Sequence, residues 1–166
     1  MADYYSPTVV EPMIPAVDTT PLERLLLDHV FDVEDVGDGF TLSEWQGPSD
    51  YPEFDRETLA AALAASDTVE SRIAAPIEAL LSSVPDDDPV IVELDRAEAS
   101  VEMILQDIVR RSQTLRYVSI ICAFTCTKMR PDGFDGAVTL ITAEAVRSKS
   151  TNDILGEFLD QAGISD

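Results

Sequence analysis

A chain of 166 residues, 45% of them apolar, is the size of one domain and can bury roughly 70% of the surface that its unfolded form exposes. Its 32 Asp and Glu against 11 Lys and Arg give a formal charge of −21, which sets aside direct binding to nucleic acid or an anionic membrane and favours cationic partners. The opening MADYYSPT has neither the basic nor the apolar region of a secretion signal, and no window nears the ~20 apolar residues of a membrane span, so a cytoplasmic protein is expected.

In chain order, residues 1–18 hold Pro7, Pro12 and Pro15 among apolar residues without a period, and they are expected as an extended arm ahead of one domain over 19–166. Val9, Val10, Met13 and Ile14 would lay that arm against the domain or against a second copy. Thr20-Pro21-Leu22-Glu23 is a capping box with proline at the first helical position, so a helix should run to about Asp32, burying Leu22, Leu25, Leu26 and Val30. VEDVGDG reads as a turn, and the alternating FTLSEW from Phe40 to Trp45 reads as a short strand. After a proline-bearing loop, Asp55 caps a helix through RETLAAALAAS. A further helix, from about Thr68 to Val84, should kink or break near Ala75, because Pro76 lacks an N–H and clashes with the preceding turn.

VIVEL, from Val90 to Leu94, reads as a strand, and Asp95-Arg96-Ala97-Glu98 as a second capping box. Behind it Val101, Ile104, Leu105, Ile108 and Val109 recur at helical spacing on one face. Leu115 to Ala143 organises the rest. Val118, Ile120, Cys122, Phe124 and Cys126 alternate with a half-polar set, as a central strand requires, and after the turn residues of Arg130 to Gly136 a second apolar run closes a hairpin. Ser150 to Asp153 starts a last helix with apolar residues Ile154, Leu155, Phe158 and Leu159, and Gly163 stops it. The order predicts an α+β fold: a largely antiparallel sheet of about four strands, including the hairpin near 115–143, with about five helices mainly on one face.

No GxSxG, GxGxxG or P-loop pattern is present, and His29, the single histidine, has no matched nucleophile or second imidazole, so no catalytic residue and no cofactor is assigned. Cys122 and Cys126 lie about 13 Å apart along a strand, too far for a mutual disulfide or a shared ion. The acids from Asp32 to Gly39 fit neither register of a calcium loop, and no metal ligand is assigned.

Charge is unevenly distributed. Residues 1–109 hold 25 acids against Arg24, Arg56, Arg72 and Arg96, a balance of −21, whereas residues 110–166 hold seven of each sign. The expected function is therefore that of a non-enzymatic interaction protein that binds a basic protein surface through acids such as Asp32, Glu34, Asp35, Asp38, Asp86, Asp87 and Asp88. A narrower form is imitation or inhibition at a nucleic-acid-binding surface: 21 charges at one per ~1.7 Å match about 36 Å of duplex, close to the ~40 Å breadth of such a domain. The alternative is a small enzyme or ligand-binding domain with an anion pocket near the hairpin, drawn from Arg110, Arg111, Arg116, Lys128 and Arg130. A homodimer through the arm or a sheet edge is compatible with either.

The segments TPLERLLLDHVF, LRYVSIICAFTCTKMRPDGFDG and KSTNDILGEFL resemble those of small acidic bacterial proteins of unassigned function. The resemblance covers most of residues 5–164 and implies a bacterial cytoplasmic protein. It carries over no activity and no site residue.

Overall fold

The computed structural model describes residues 3–85, 88–96, 98–128, 130 and 133–164. The segment expected as an arm is extended and belongs to the sheet: β1 (Tyr4–Tyr5) and β2 (Thr8–Pro15) run in one register along the same side of a later strand. Next comes α1 (Pro21–Val30), whose capping box forms as expected: the Thr20 hydroxyl accepts from the Glu23 N–H, and the Glu23 carboxylate accepts from the Thr20 N–H. The acidic stretch expected as a turn is a strand, β3 (Asp32–Val36), paired with β4 (Gly39–Glu44). Only Gly37 and Asp38 turn. Gly37 takes φ +62°, the left-handed conformation that a two-residue hairpin gives to glycine. Gly39 answers a different demand, since a Cβ there would lie 2.4 Å from the Ile14 carbonyl oxygen of the neighbouring strand.

A short β5 (Glu53–Phe54) leads to α2 (Arg56–Ala65), capped by Asp55, and then to α3 (Ala74–Ser83). The expected break at Pro76 is resolved by starting the helix late, at Ala74. Pro76 then falls in the first turn, where a backbone N–H has no helical partner in any case. VIVEL is only partly a strand, β6 (Val90–Ile91), which pairs with β5. Beyond it the alternation persists: Val92 and Leu94 point inward, and their N–H groups donate to the carbonyls of Pro52 and Asp50.

The capping box expected at Asp95 does not form. Asp95 does not cap a helix; β7 (Asp95–Arg96) and β8 (Ala99–Ser100) pair, and α4 (Val101–Arg111) starts five residues later with Ser100 as its cap. A capping box needs a helical turn directly behind it, and here the polar residues before Ala99 are taken up by pairing and by the Tyr51 hydroxyl, which donates to Asp95 Oδ2 at 2.8 Å.

The hairpin forms from β9 (Tyr117–Cys126) and β10 (Phe134–Thr142), in a single register from end to end. Two further features complete the C-terminus: an unforeseen strand, β11 (Val146–Ser150), and α5 (Thr151–Gln161), begun by Ser150 as expected. The polar VRSKS run lacks the apolar alternation that betrays a strand, because β11 is an edge strand with little to bury. The principal sheet therefore has seven strands, more than the four expected, in the order β11-β10-β9-β2-β4-β3 with β1 extending β2 beside β9. All its pairings are antiparallel, so the α+β class holds.

One face of this sheet meets the helices. Val10, Leu42, Val118 and Ile141 from the strands join Leu22 and Leu26 of α1, Leu59 of α2, Ile77 of α3, and Ile104, Leu105 and Ile108 of α4 in one core. Within that layer two carboxyl groups are buried and bonded, as buried charge requires. Glu23 accepts from Thr20 N, Ser71 Oγ and Arg111; Asp107 accepts from Arg72 through both its backbone N–H and Nε.

Candidate interaction surface

The acidic hairpin is asymmetric across its two faces. Asp35 turns toward the helical layer, where Arg24 of α1 reaches it at 2.9 Å, holds Asp28 at 2.7 Å and lies 4.4 Å over the Phe40 ring. Burial pulls the Arg24 guanidinium pKa down, but the hydrogen bonds from these two aspartates outweigh it and hold the group above its ordinary value. Asp32 and Glu34 point the opposite way, in register with Ser43 and Thr41, and Asp38 sits exposed in the turn. Asp88 is exposed ahead of β6, whereas Asp86 and Asp87 lie outside the described residues.

Each arginine of the acidic region bonds groups of its own chain, Arg96 at the surface. Arg24 holds Asp28 and Asp35, Arg56 donates to the carbonyls of Leu81 and Val84, Arg72 holds Asp107, and Arg96 holds Glu93.

The basic residues near the hairpin do not form one cluster. Arg110 and Arg111 end α4 and, with Arg72, line a cavity of about 520 Å³ beside Asp107 and Glu70. Their donors are used by the protein itself: Arg110 Nε bonds the Ala143 carbonyl at 2.8 Å, and Arg111 bonds the carbonyls of Asp18 and Glu70 and the buried Glu23. Arg116 precedes β9, while Lys128 and Arg130 follow it, so the length of a ten-residue strand, roughly 30 Å, separates them. A second cavity, of about 440 Å³, touches the hairpin at Ile120, Cys122 and Thr139 but is lined by Asp50 and Glu102 and by no cation. Both cysteines are thiols, and no group of three or more His, Cys, Asp or Glu side chains among the described residues is placed to hold a metal. His29 packs its ring 4.3 Å from that of Phe54 and bonds the Leu25 carbonyl.

What periodicity alone did not single out is the sheet's other face. Tyr117, Ile121, Val138 and Leu140 lie on it from β9 and β10, with Val9 from β2 and Trp45 just past β4, and no helix covers them. Exposure reaches 43% for Ile121, 45% for Val138 and 67% for Trp45. The signal was available in the half-polar set of β9, where Tyr117 and Ile121 are too apolar for a solvated face. At the edge, α5 carries its own uncovered stripe of Leu155 and Phe158. The Asp135 carboxylate anchors this helix, accepting from Thr151 Oγ1, from the Gly136 N–H and from Asn152 Nδ2; those bonds, the Thr151 hydroxyl first, hold its pKa below the ordinary carboxylate range.

No family model, curated protein or solved structure matches the chain. No helix among the described residues is long and apolar enough to cross a membrane.

Proposed function

We propose that this chain is a non-enzymatic interaction protein whose acidic outer surface meets a basic surface of another protein. The observation that carries the reading is the bonding of Arg24, Arg56, Arg72 and Arg96: each is held by groups of its own chain, and Glu23 and Asp107 are the buried acids among the described residues, so most of the acidic excess of residues 1–109 is left to the surface. A surface of that kind draws cationic partners and orients them before contact. Asp38, exposed in the hairpin turn, and Asp88, exposed ahead of β6, are assigned to the partner surface together with their sequence neighbours Asp86 and Asp87.

The test is affinity capture of host proteins by the full chain and by Asp38→Asn/Asp86→Asn/Asp87→Asn/Asp88→Asn. Basic proteins retained by the native chain should be retained several-fold less by the variant. Equal retention by both would remove these acids from the surface. Recovery of a nucleic-acid-handling protein, displaced by added duplex DNA, would favour the narrower reading of nucleic-acid imitation.

A further inference from the structure

We infer that the uncovered face of the sheet is a self-complementary interface that pairs two copies of this chain about a two-fold axis parallel to the strands. The warrant is a single row of residues across six strands. By register, Lys149 on β11 sits beside Val138 on β10, then Ile121 on β9, Val9 on β2, Ser43 on β4 and Asp32 on β3. The row begins on a cation, crosses three apolar side chains and ends on an anion. One step along the strands, Arg147 beside Leu140 repeats the cationic end, and Glu34 beside Thr41 repeats the anionic end.

Such a row reads as its own complement. A two-fold axis along the strands, between β9 and β2, turns the row end for end. It sets Ile121 on Val9 of the other copy, and the Arg147 and Lys149 edge on the Asp32 and Glu34 edge. An axis across the strands would instead set cation on cation and anion on anion. Asp32, Glu34 and Arg147 make no ion pair among the described residues, so their charges are available to a partner, whereas Lys149 also holds Glu157 of α5 at 2.7 Å.

Charge and area both fit a second copy. The strands place Glu11, Asp32 and Glu34 against Arg147 and Lys149 on this face, and with Glu157, which Lys149 holds, the count is four acids to two bases, a balance of −2 in a chain of −21. A basic partner would find little to hold here, and a second copy meets little repulsion. Six strands about 4.8 Å apart and on average about seven residues long at ~3.3 Å present roughly 670 Å², within the roughly 600–1,000 Å² per partner of a standard interface. Two antiparallel sheets packed in this way cross at about 30° with their side chains interdigitated, which completes the second layer that the exposed apolar row lacks.

The test is light scattering on the purified full chain across the micromolar range, with far-UV circular dichroism as the check on folding. The native chain should show twice the 18.1 kDa chain mass, and added salt should leave the dimer intact or tighten it by screening the repulsion between two acidic copies. Ile121→Asp should give a folded monomer; if it unfolds, Ile121→Thr/Val138→Thr, which keeps β-forming side chains, serves in its place. Arg147→Glu should weaken the dimer at least tenfold, and Glu34→Arg added to it should restore most of that loss. A native chain that stays monomeric at every concentration, or a dimer unmoved by the Ile121 variants, overturns the interface. A dimer in which Glu34→Arg fails to rescue Arg147→Glu overturns the axis.

Discussion

Arg111 shows how one side chain can be read in two ways at the residue scale. In the sequence it is half of a basic pair at a helix end, suited to the helix dipole or to an anion. In the fold it neutralises Glu23, a carboxylate with no exposed surface, while also bonding two carbonyls. Removing one partner of a buried pair leaves the other charge stranded, so Arg111→Ala should lower stability by about 3 kcal/mol. Arg111→Met with Glu23→Leu should lose less than Arg111→Ala, and urea unfolding compares the two. Gly39 makes a simpler case. With the Ile14 carbonyl in the space that a Cβ would take, Gly39→Ala must displace backbone and should destabilise by about 1–3 kcal/mol. A fully native midpoint for Gly39→Ala would contradict the close approach of β2 and β4.

Among the elements, α4 and α5 are opposites with similar sequence signals. Both have a serine cap and an apolar stripe. α4 buries Ile104, Leu105 and Ile108 completely, and Leu105→Ala should cost about 2–5 kcal/mol of global stability. None of α5 is buried, so its order rests on local bonds: the Ser150–Asp153 capping box, the Asp135 anchor and the Lys149–Glu157 ion pair. Both carboxyls have depressed pKa values, Asp153 through the Ser150 N–H first and Asp135 through the Thr151 hydroxyl first. Their contribution is therefore full above the ordinary aspartate pKa and is lost as pH falls through the lower folded values. Amide exchange over 151–161 should accelerate below about pH 4 relative to α4 once intrinsic rates are removed. Equal change in both helices would show that α5 is held by something other than these carboxylates.

What was legible followed from local chemistry. The Thr20, Asp55 and Ser150 caps, the 3.6 period of α4 and the 2.0 period of β9 each depend on neighbours in sequence, and each appears where expected. The misses share a different cause. β11 and β3 are polar edge strands whose pairing depends on partners elsewhere in the chain, and Asp95 looked like a cap because the pairing of β7 with β8 is not written in its own residues. The candidate surface divided likewise. Acid excess was countable, but the bonding of the arginines within the chain and the in-register row on the uncovered face exist only after folding.

For the whole molecule, the architecture separates two kinds of surface. The helical layer and the hairpin turn carry the negative charge, while the uncovered sheet face is nearly neutral and apolar, so pairing through that face would leave the acidic surfaces of both copies outward. Salt distinguishes the two contacts. Exposed charges are screened within about 8 Å at physiological ionic strength, so contact with a basic partner weakens with salt while an apolar interface does not. Binding by charge at the acidic surface is read from the dissociation constant of a captured basic partner, measured by titration calorimetry as a function of salt from low to molar concentration. Affinity should fall steeply, with the logarithm of the constant changing linearly with the logarithm of salt and a shallower slope for the four-asparagine variant. An affinity that is unchanged at molar salt, or the same slope in the variant, would contradict it.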